Sequence, residues 1–256
     1  VVSEVLVRSL HLVKTGIGAS WALRQIKVLI ECGVEVHVAL GESGPMEQHY
    51  IDVGAIVHRV PIDLKKVGML NYYEAAKLFR ETVASIDPDI IHSHFVGTTL
   101  FMRLALRGHC RIPRLFQVPG PLHLEHWITR KMDLLSANDS DYWCASCKLT
   151  RSIYEDSGID QDRIFLSYYG TDVHLNSTLT EITDVSDIRS KYGIPLECEV
   201  VGMVGYMYPP KRWLGQQVGL KGHEDLIEAI SLLTSEERNI VVVFAGGQWG
   251  VGTAYE

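Results

Sequence analysis

Residues 4–40 read EVLVRSLHLVKTGIGASWALRQIKVLIECGVEVHVAL. Glu4 to Leu12 has the apolar, β-branched character of a strand. A glycine turn, TGIGAS, follows. SWALRQIKVLIECG then repeats its apolar residues at helical spacing and stops at Gly33, a C-cap residue. Val34 to Leu40 is a second strand. Strand, helix, strand within 40 residues is a βαβ unit, and the two strands must be parallel.

The alternation continues outward from this unit. Strands are expected at Ala55–Val60, Ile90–His94, Arg114–Val118, Asp141–Ala145 and Arg163–Tyr168. Helices are expected at Tyr72–Ser85, Thr98–Arg107, Leu124–Leu135 and Cys147–Glu155. The expectation is an α/β, doubly wound parallel sheet. Residues 1–173 form this first domain, an ordinary size for one domain. A stretch rich in Ser, Thr, Asn and Asp follows, so 174–195 reads as a linker with a short helix around Ser186–Tyr192. A new βαβ pattern opens at 196 and runs to 256, the first part of a second Rossmann-like domain.

Composition narrows the function. The chain of 256 residues is 46% apolar and 21% charged, with no apolar run long enough to span a bilayer. Its net charge of −7 argues against nucleic acid as a partner, because phosphate backbones demand a basic face. Five cysteines, an odd number without scaffold spacing, suit a reducing, cytoplasmic compartment. The chain opens on Val1, inside what reads as a strand. That suggests a fragment cut close to its first strand.

Candidate site residues fall after the strands. Gly16 and Gly18 begin a dinucleotide fingerprint, G-x-G-x-x-G, but Trp21 stands where the third glycine belongs. The turn is read as one that lets a ligand or a facing domain approach the backbone, or as a tight turn with no ligand. His92 and His94, in DIIHSHF, point to one side of the sheet. His92 is assigned to the core. His94, nearest the carboxyl end, is assigned to function. In PGPLHLEHW, at 119–127, His123 and Glu125 either bind sugar hydroxyls or cap the helix. The pair Cys144 and Cys147 is read as structural; joining His109 and Cys110 to it gives the one four-ligand zinc arrangement considered, and no metal site is expected. Arg103, Arg107, Arg111 and Arg114, beside Phe101, Met102 and Leu104, are weighed as a weak contact with an anionic membrane. Packing of that helix on the sheet is the preferred reading.

The second domain opens with VVGMVGYMYPPKRWLGQQVGLKGHEDLIEAISLL, residues 200–233. Val200, Val201, Met203 and Val204 read as a buried strand. Leu226, Ile227, Ile230 and Leu233 read as a helix stripe. Between them Lys221 and Gly222 precede the helix start, where unpaired N–H groups favour phosphate. An ordinary strand–helix connection is the alternative.

These motifs, in this order, resemble the family-4 glycosyltransferases of the two-domain GT-B fold, and more narrowly those of bacterial surface-polysaccharide assembly. The marks are TGIGAS, DIIHSHF, VPGPLHLEHW, DYWCASCKLTRSIYEDSGI, RIFLSYYGTDV and GMVGYMYPPKRW…LKGHEDLIEAI. The resemblance implies a first domain that binds the acceptor and a second that binds a nucleotide-sugar. It implies transfer with retention, without metal or cofactor, to a glycan or lipid-linked acceptor. Lys221 would match the lysine on the donor diphosphate, and Gly205 the glycine ending the donor-domain strand. Tyr206 stands where the family often has Arg, and Arg212 is the substitute considered. Gly16 and Gly18 would face the diphosphate, and His94 the transferred sugar. The family's paired glutamates, E-x7-E, would lie beyond residue 256. Two other readings stay open: a non-catalytic sugar- or partner-binding module, and an NAD-type oxidoreductase.

Overall fold

The computed structural model describes residues 6–170, 189–210, 212, 216–234 and 239–247. The chain divides into two compact units, Val1–Thr171 and Asp172–Glu256. Most of the expected linker, and the start of its short helix, lies outside the described residues.

In the first unit the elements run β1 (Arg8–Val13), α1 (Ser20–Glu31), β2 (Glu35–Leu40), α2 (Met46–Asp52), β3 (Ile56–Arg59), α3 (Leu64–Val67), α4 (Tyr72–Ile86), β4 (Ile90–Ser93) and α5 (Val96–Ala105). They continue with β5 (Arg114–Val118), α6 (Leu122–Glu125), α7 (Trp127–Ser136), β6 (Asp141–Ala145), α8 (Lys148–Asp156), a 3-10 turn at Gln161–Arg163 and β7 (Ile164–Leu166). All seven strands are parallel, in the order β3-β2-β1-β4-β5-β6-β7. The chain builds outward from β1 to β3, then crosses back to lay β4 on the other side of β1. The direction of winding reverses between β1 and β4, and this switch point is where open α/β sheets hold ligands.

Side-chain alternation along β1 sets both faces. Leu10 and Leu12 pack with Ile91 against Phe79, Val83 and Phe101 of α4 and α5. Val13 joins Val36, Val38 and Leu40 against Ala22, Ile26 and Tyr50 of α1 and α2. A third cluster joins Phe116, Val118, Trp143 and Ala145 to Leu124 and Tyr154.

Several expectations need correction. The helix expected at Leu124–Leu135 is two helices, broken at His126, whose backbone is extended (φ −96°, ψ 122°). The Thr129 hydroxyl donates to the carbonyls of His123 and His126, at 2.5 and 3.0 Å, and fixes the break. Arg103 and Arg114 do not face a membrane. Both are buried. Arg103 donates to Asp133 Oδ1 (2.7 Å) and Asp141 Oδ1 (3.0 Å), and Arg114 to Asp141 Oδ2 (2.7 Å). Phe101 and Met102 are core residues, which leaves only Arg107, Arg111 and Leu104 of that group at the surface. Among the described residues no helix is long and apolar enough to cross a membrane.

The second unit holds β8 (Glu199–Val204), α9 (His223–Thr234) and β9 (Ile240–Ala245), with β8 and β9 parallel and paired from Glu199↔Ile240 to Val204↔Ala245. The strand expected to be buried is not. Val204 is 87% exposed and Val200 40%. Ile227 on α9 is 56% exposed. One helix covers at most one face of a two-stranded sheet.

Candidate functional site

Because every strand of the first sheet runs the same way, the loops after β1, β2, β3, β4 and β5 emerge on one edge. That edge carries Gly16 and Gly18, Glu42, Asp63, His94, and His123 with Glu125.

The glycine turn after β1 is shaped by two demands. Gly18 and Ala19 are both left-handed, at φ 74° and 60°, immediately before α1. Gly18 meets this without a Cβ penalty. Gly16 is glycine for another reason. A Cβ there would lie 2.6 Å from Gly44 N and 2.9 Å from Glu42 O, and Met46 N donates to Gly16 O at 2.9 Å. The chain's own β2–α2 loop fills the space that the sequence reading left for a ligand. Trp21, at the third-glycine position, packs its ring 5.2 Å from His94, 5.8 Å from Phe95 and 5.1 Å from Tyr169.

Beneath Trp21 lie three histidines. The register pairs His11 on β1 with His92 on β4. The rings of His92 and His94 stack at 4.3 Å, and His11 Nδ1 is 3.0 Å from His94 Nε2. His11 and His94 have no exposed surface, and His92 has 5%. Burial holds all three below the usual imidazole range, His92 at about 4; His92 further lowers the other two, and His11 also lowers His94. The three are therefore neutral at pH 7. His94 sits after β4 as expected, with no exposed surface and its ring 5.2 Å from that of Trp21. Among the described residues, His11, His92 and His94 form the one group of ligating side chains close enough to share a cation, with ligand atoms within 4.8 Å of one another. His11 was missed in the sequence because it enters the cluster only through the β1–β4 register.

His123 and Glu125 part company. Glu125 is exposed. His123 points inward, with Nε2 3.2 Å from Asp133 Oδ2 and 3.1 Å from the Tyr154 hydroxyl, which itself donates to Asp133 Oδ2 at 2.6 Å. Burial alone would raise the Asp133 carboxyl. The hydrogen bonds from His123 and Tyr154 and the Arg103 charge outweigh it and hold the group at about 2. His123 thus belongs to a buried polar network rather than to an acceptor surface. The four-ligand arrangement of Cys144, Cys147, His109 and Cys110 is split, since His109 and Cys110 precede β5 while Cys144 and Cys147 lie at the opposite, carboxyl edge of β6. The three thiols are free of disulfides.

In the second unit Gly205 directly follows β8, and its N–H donates to Ala245 O at 2.9 Å. Arg212 is exposed. Lys221 is exposed, with its ammonium 5.8 Å from the Tyr208 ring centre. Gly222 is left-handed (φ 78°) and leads into α9, whose first turn carries Glu224 and Asp225. Glu224 Oε1 accepts from Gly219 N at 2.9 Å. The helix start therefore already holds carboxylates, and an anion there depends on Lys221.

The sequence profile of Glycosyltransferase Family 4 matches residues 19–175, more than half of the chain. The chain belongs to glycosyltransferase family 4. No curated protein matches it. Among solved structures it is similar to HepE of Anabaena in complex with UDP and glucose, at 17% identity and TM-score 0.63 over 94% of this chain and 61% of that one. It is also similar to sucrose-phosphate synthase of Thermosynechococcus elongatus, at 13% identity and TM-score 0.56 over 95% and 71%. A UDP-GlcNAc 2-epimerase of Neisseria meningitidis, bound to UDP-GlcNAc, aligns at 13% identity and TM-score 0.51 over 93% and 64%. At these identities the likeness shows a shared fold, the GT-B fold. This family-4 chain spans about three-fifths of the HepE chain.

Proposed function

We propose that this family-4 chain belongs to an enzyme that moves a sugar, with retention, from a nucleotide-sugar to a glycan or lipid-linked acceptor in polysaccharide biosynthesis. The observation that carries the reading is the switch point of the seven-stranded sheet, which gathers the loops after β1 to β5 on one edge of a family-4 domain. The related folds that hold UDP or UDP-sugars support a nucleotide-sugar as the donor class. On this reading the first unit faces the acceptor and the second the donor.

Departure of a nucleoside diphosphate builds negative charge on the leaving phosphate. Lys221 is the exposed cation placed to stabilise it, with Arg212 as a second, and such charge-assisted contacts count most where charge grows. Retention then follows from attack on the face the phosphate leaves. No metal or organic cofactor enters this scheme, and the reaction is assigned to the cytoplasmic side. On this scheme His94, which has no exposed surface, is given no contact with substrate. An NAD-type oxidoreductase is disfavoured by Trp21, which fills the place of the third fingerprint glycine. The test is to incubate the protein with UDP-glucose and an acceptor extract and to read the anomeric configuration of the product by NMR. An inverted linkage, or nucleotide release without any new glycoside, would overturn the reading.

A further inference from the structure

Each of the three clustered histidines keeps one ring nitrogen without a hydrogen-bond partner in the protein: His11 Nε2, His92 Nε2 and His94 Nδ1. None of the three residues is more than 5% exposed. A buried polar atom left unmet is costly, and three on rings in mutual contact call for a shared partner. The rings are held in place from the backbone. The β1–β4 register sets His11 beside His92, and His94 N donates to Leu12 O at 3.3 Å.

The spacing suits a metal ion. His11 Nδ1 and His94 Nε2 face each other at 3.0 Å. Between two neutral rings a single proton serves both nitrogens. A cation between them would take a lone pair from each instead. Zinc holds imidazole nitrogen at about 2.0–2.1 Å in a tetrahedron, so neighbouring ligand nitrogens lie about 3.4 Å apart. The facing pair stands close to that spacing. His92 supplies the third nitrogen. Its ring centre is 4.3 Å from that of His94 and 4.9 Å from that of His11, and one nitrogen of each ring lies within 4.8 Å of the other two. Closing the set takes movements on the order of 1 Å, within reach of ring rotation about Cβ–Cγ.

The donor set also selects the ion. It holds three imidazoles and no carboxylate. Calcium and magnesium take oxygen ligands. Imidazole suits zinc, copper, nickel and iron, and it binds in the neutral form, which burial favours. Zinc imposes no d-electron geometry, and three histidines with a fourth position left to water are sufficient to hold it. We infer that His11, His92 and His94 bind a transition-metal ion of the zinc class, which ties β1 to β4 at the switch point. The transfer scheme proposed above routes no step through this ion, and the inference stands apart from it.

The test uses the whole 256-residue chain, stripped of metal with a chelator and then given zinc or cobalt(II) chloride. One equivalent of zinc is expected to bind with micromolar or tighter affinity and to raise the thermal midpoint; magnesium should do neither. Cobalt should give the strong visible bands of a four-coordinate ion. The X-ray absorption spectrum of the zinc-loaded protein should show three imidazoles with nitrogen at about 2.0–2.1 Å. His92→Phe should weaken zinc binding at least tenfold. Should that variant fail to fold, the wild-type spectrum decides the ligand set. Sulfur in the zinc shell, fewer than three imidazoles, equal affinity in a folded His92→Phe, or a midpoint that zinc leaves unchanged overturns the site.

Discussion

The Nδ1 of His11 and the Nε2 of His94 lie 3.0 Å apart with no exposed surface on either ring. One nitrogen must donate and the other accept. In either tautomer the far side of this pair presents one N–H and one lone pair, and neither His11 Nε2 nor His94 Nδ1 has a partner. The bond is compatible with two neutral rings, or with one proton too many only at the cost of burying a charge.

Acid should therefore unfold the first unit early. The folded-state values of all three histidines are depressed below 6.5, so the unfolded chain binds more protons than the folded one, and stability rises with pH. Stability is complete above about pH 6.5 and falls as pH drops toward 4. His92 alone, moving from 6.5 to about 4, contributes on the order of 3 kcal/mol over that window. Urea unfolding midpoints measured from pH 7.5 to 4 should fall, and the fall should be shallower in His92→Phe. A flat profile would show the cluster to be charged or solvated in the native state.

His94→Ala should cost roughly 2–4 kcal/mol in stability, through a core cavity and a stranded His11. The sequence placed function at His94 and structure at His92. The buried cluster predicts that His92→Ala and His94→Ala destabilise alike. Thermal melts of both variants decide this. An unshifted melt for His94→Ala with lost turnover would restore the original assignment.

Asp133→Ala should be among the most damaging single changes. It strands Arg103, which is buried and donates to that carboxylate at 2.7 Å, and removes the partner of His123 and Tyr154. Breaking a buried pair from one side costs roughly 3–5 kcal/mol. Arg103→Ala should likewise lower the unfolding midpoint and leave co-sedimentation with anionic vesicles unchanged. A vesicle-binding defect in a stable Arg103→Ala would contradict the burial.

Gly16→Ala should destabilise by about 1–3 kcal/mol, because its Cβ meets Gly44 backbone at 2.6 Å and neither loop can yield cheaply. Circular dichroism melts would show the loss without any nucleotide present. Nucleotide-dependent effects on a normally stable Gly16→Ala would instead support a ligand at that position.

The parallel sheet was legible because each strand carries its own apolar run and each long helix its own period; Arg114–Val118 and Asp141–Ala145 were read to the residue. Helix α2 was not, since Tyr50 is its one buried side chain and makes no stripe. Helix α3 spans four residues, too few for a period. Arg103 and Arg114 looked like surface charge because their carboxylate partners lie about 30 positions away, on α7 and β6. His11 carried no local signal at all. The first-unit candidates do follow the carboxyl ends of their strands, but sequence alone does not distinguish a residue at the edge from one beneath a neighbouring ring.

Lys221→Met should weaken nucleotide-sugar binding and leave the fold alone. The side chain is exposed and stands just before α9, so its loss opens no cavity. Glu224 and Asp225 hold negative charge in the first turn, against a diphosphate, and Lys221 is the cation that offsets them. Without it the helix start favours anions less than a bare N-terminus would. The expected loss is about tenfold or more in UDP-glucose affinity, in line with one charge-assisted contact of about 1.5–3 kcal/mol. The wild-type affinity should also fall as salt rises, and the variant's should depend on salt less steeply. Competition binding with UDP and UDP-glucose at two ionic strengths, beside thermal melts, measures all of this. Equal affinity for wild type and Lys221→Met would move the donor phosphate away from the β8–α9 loop.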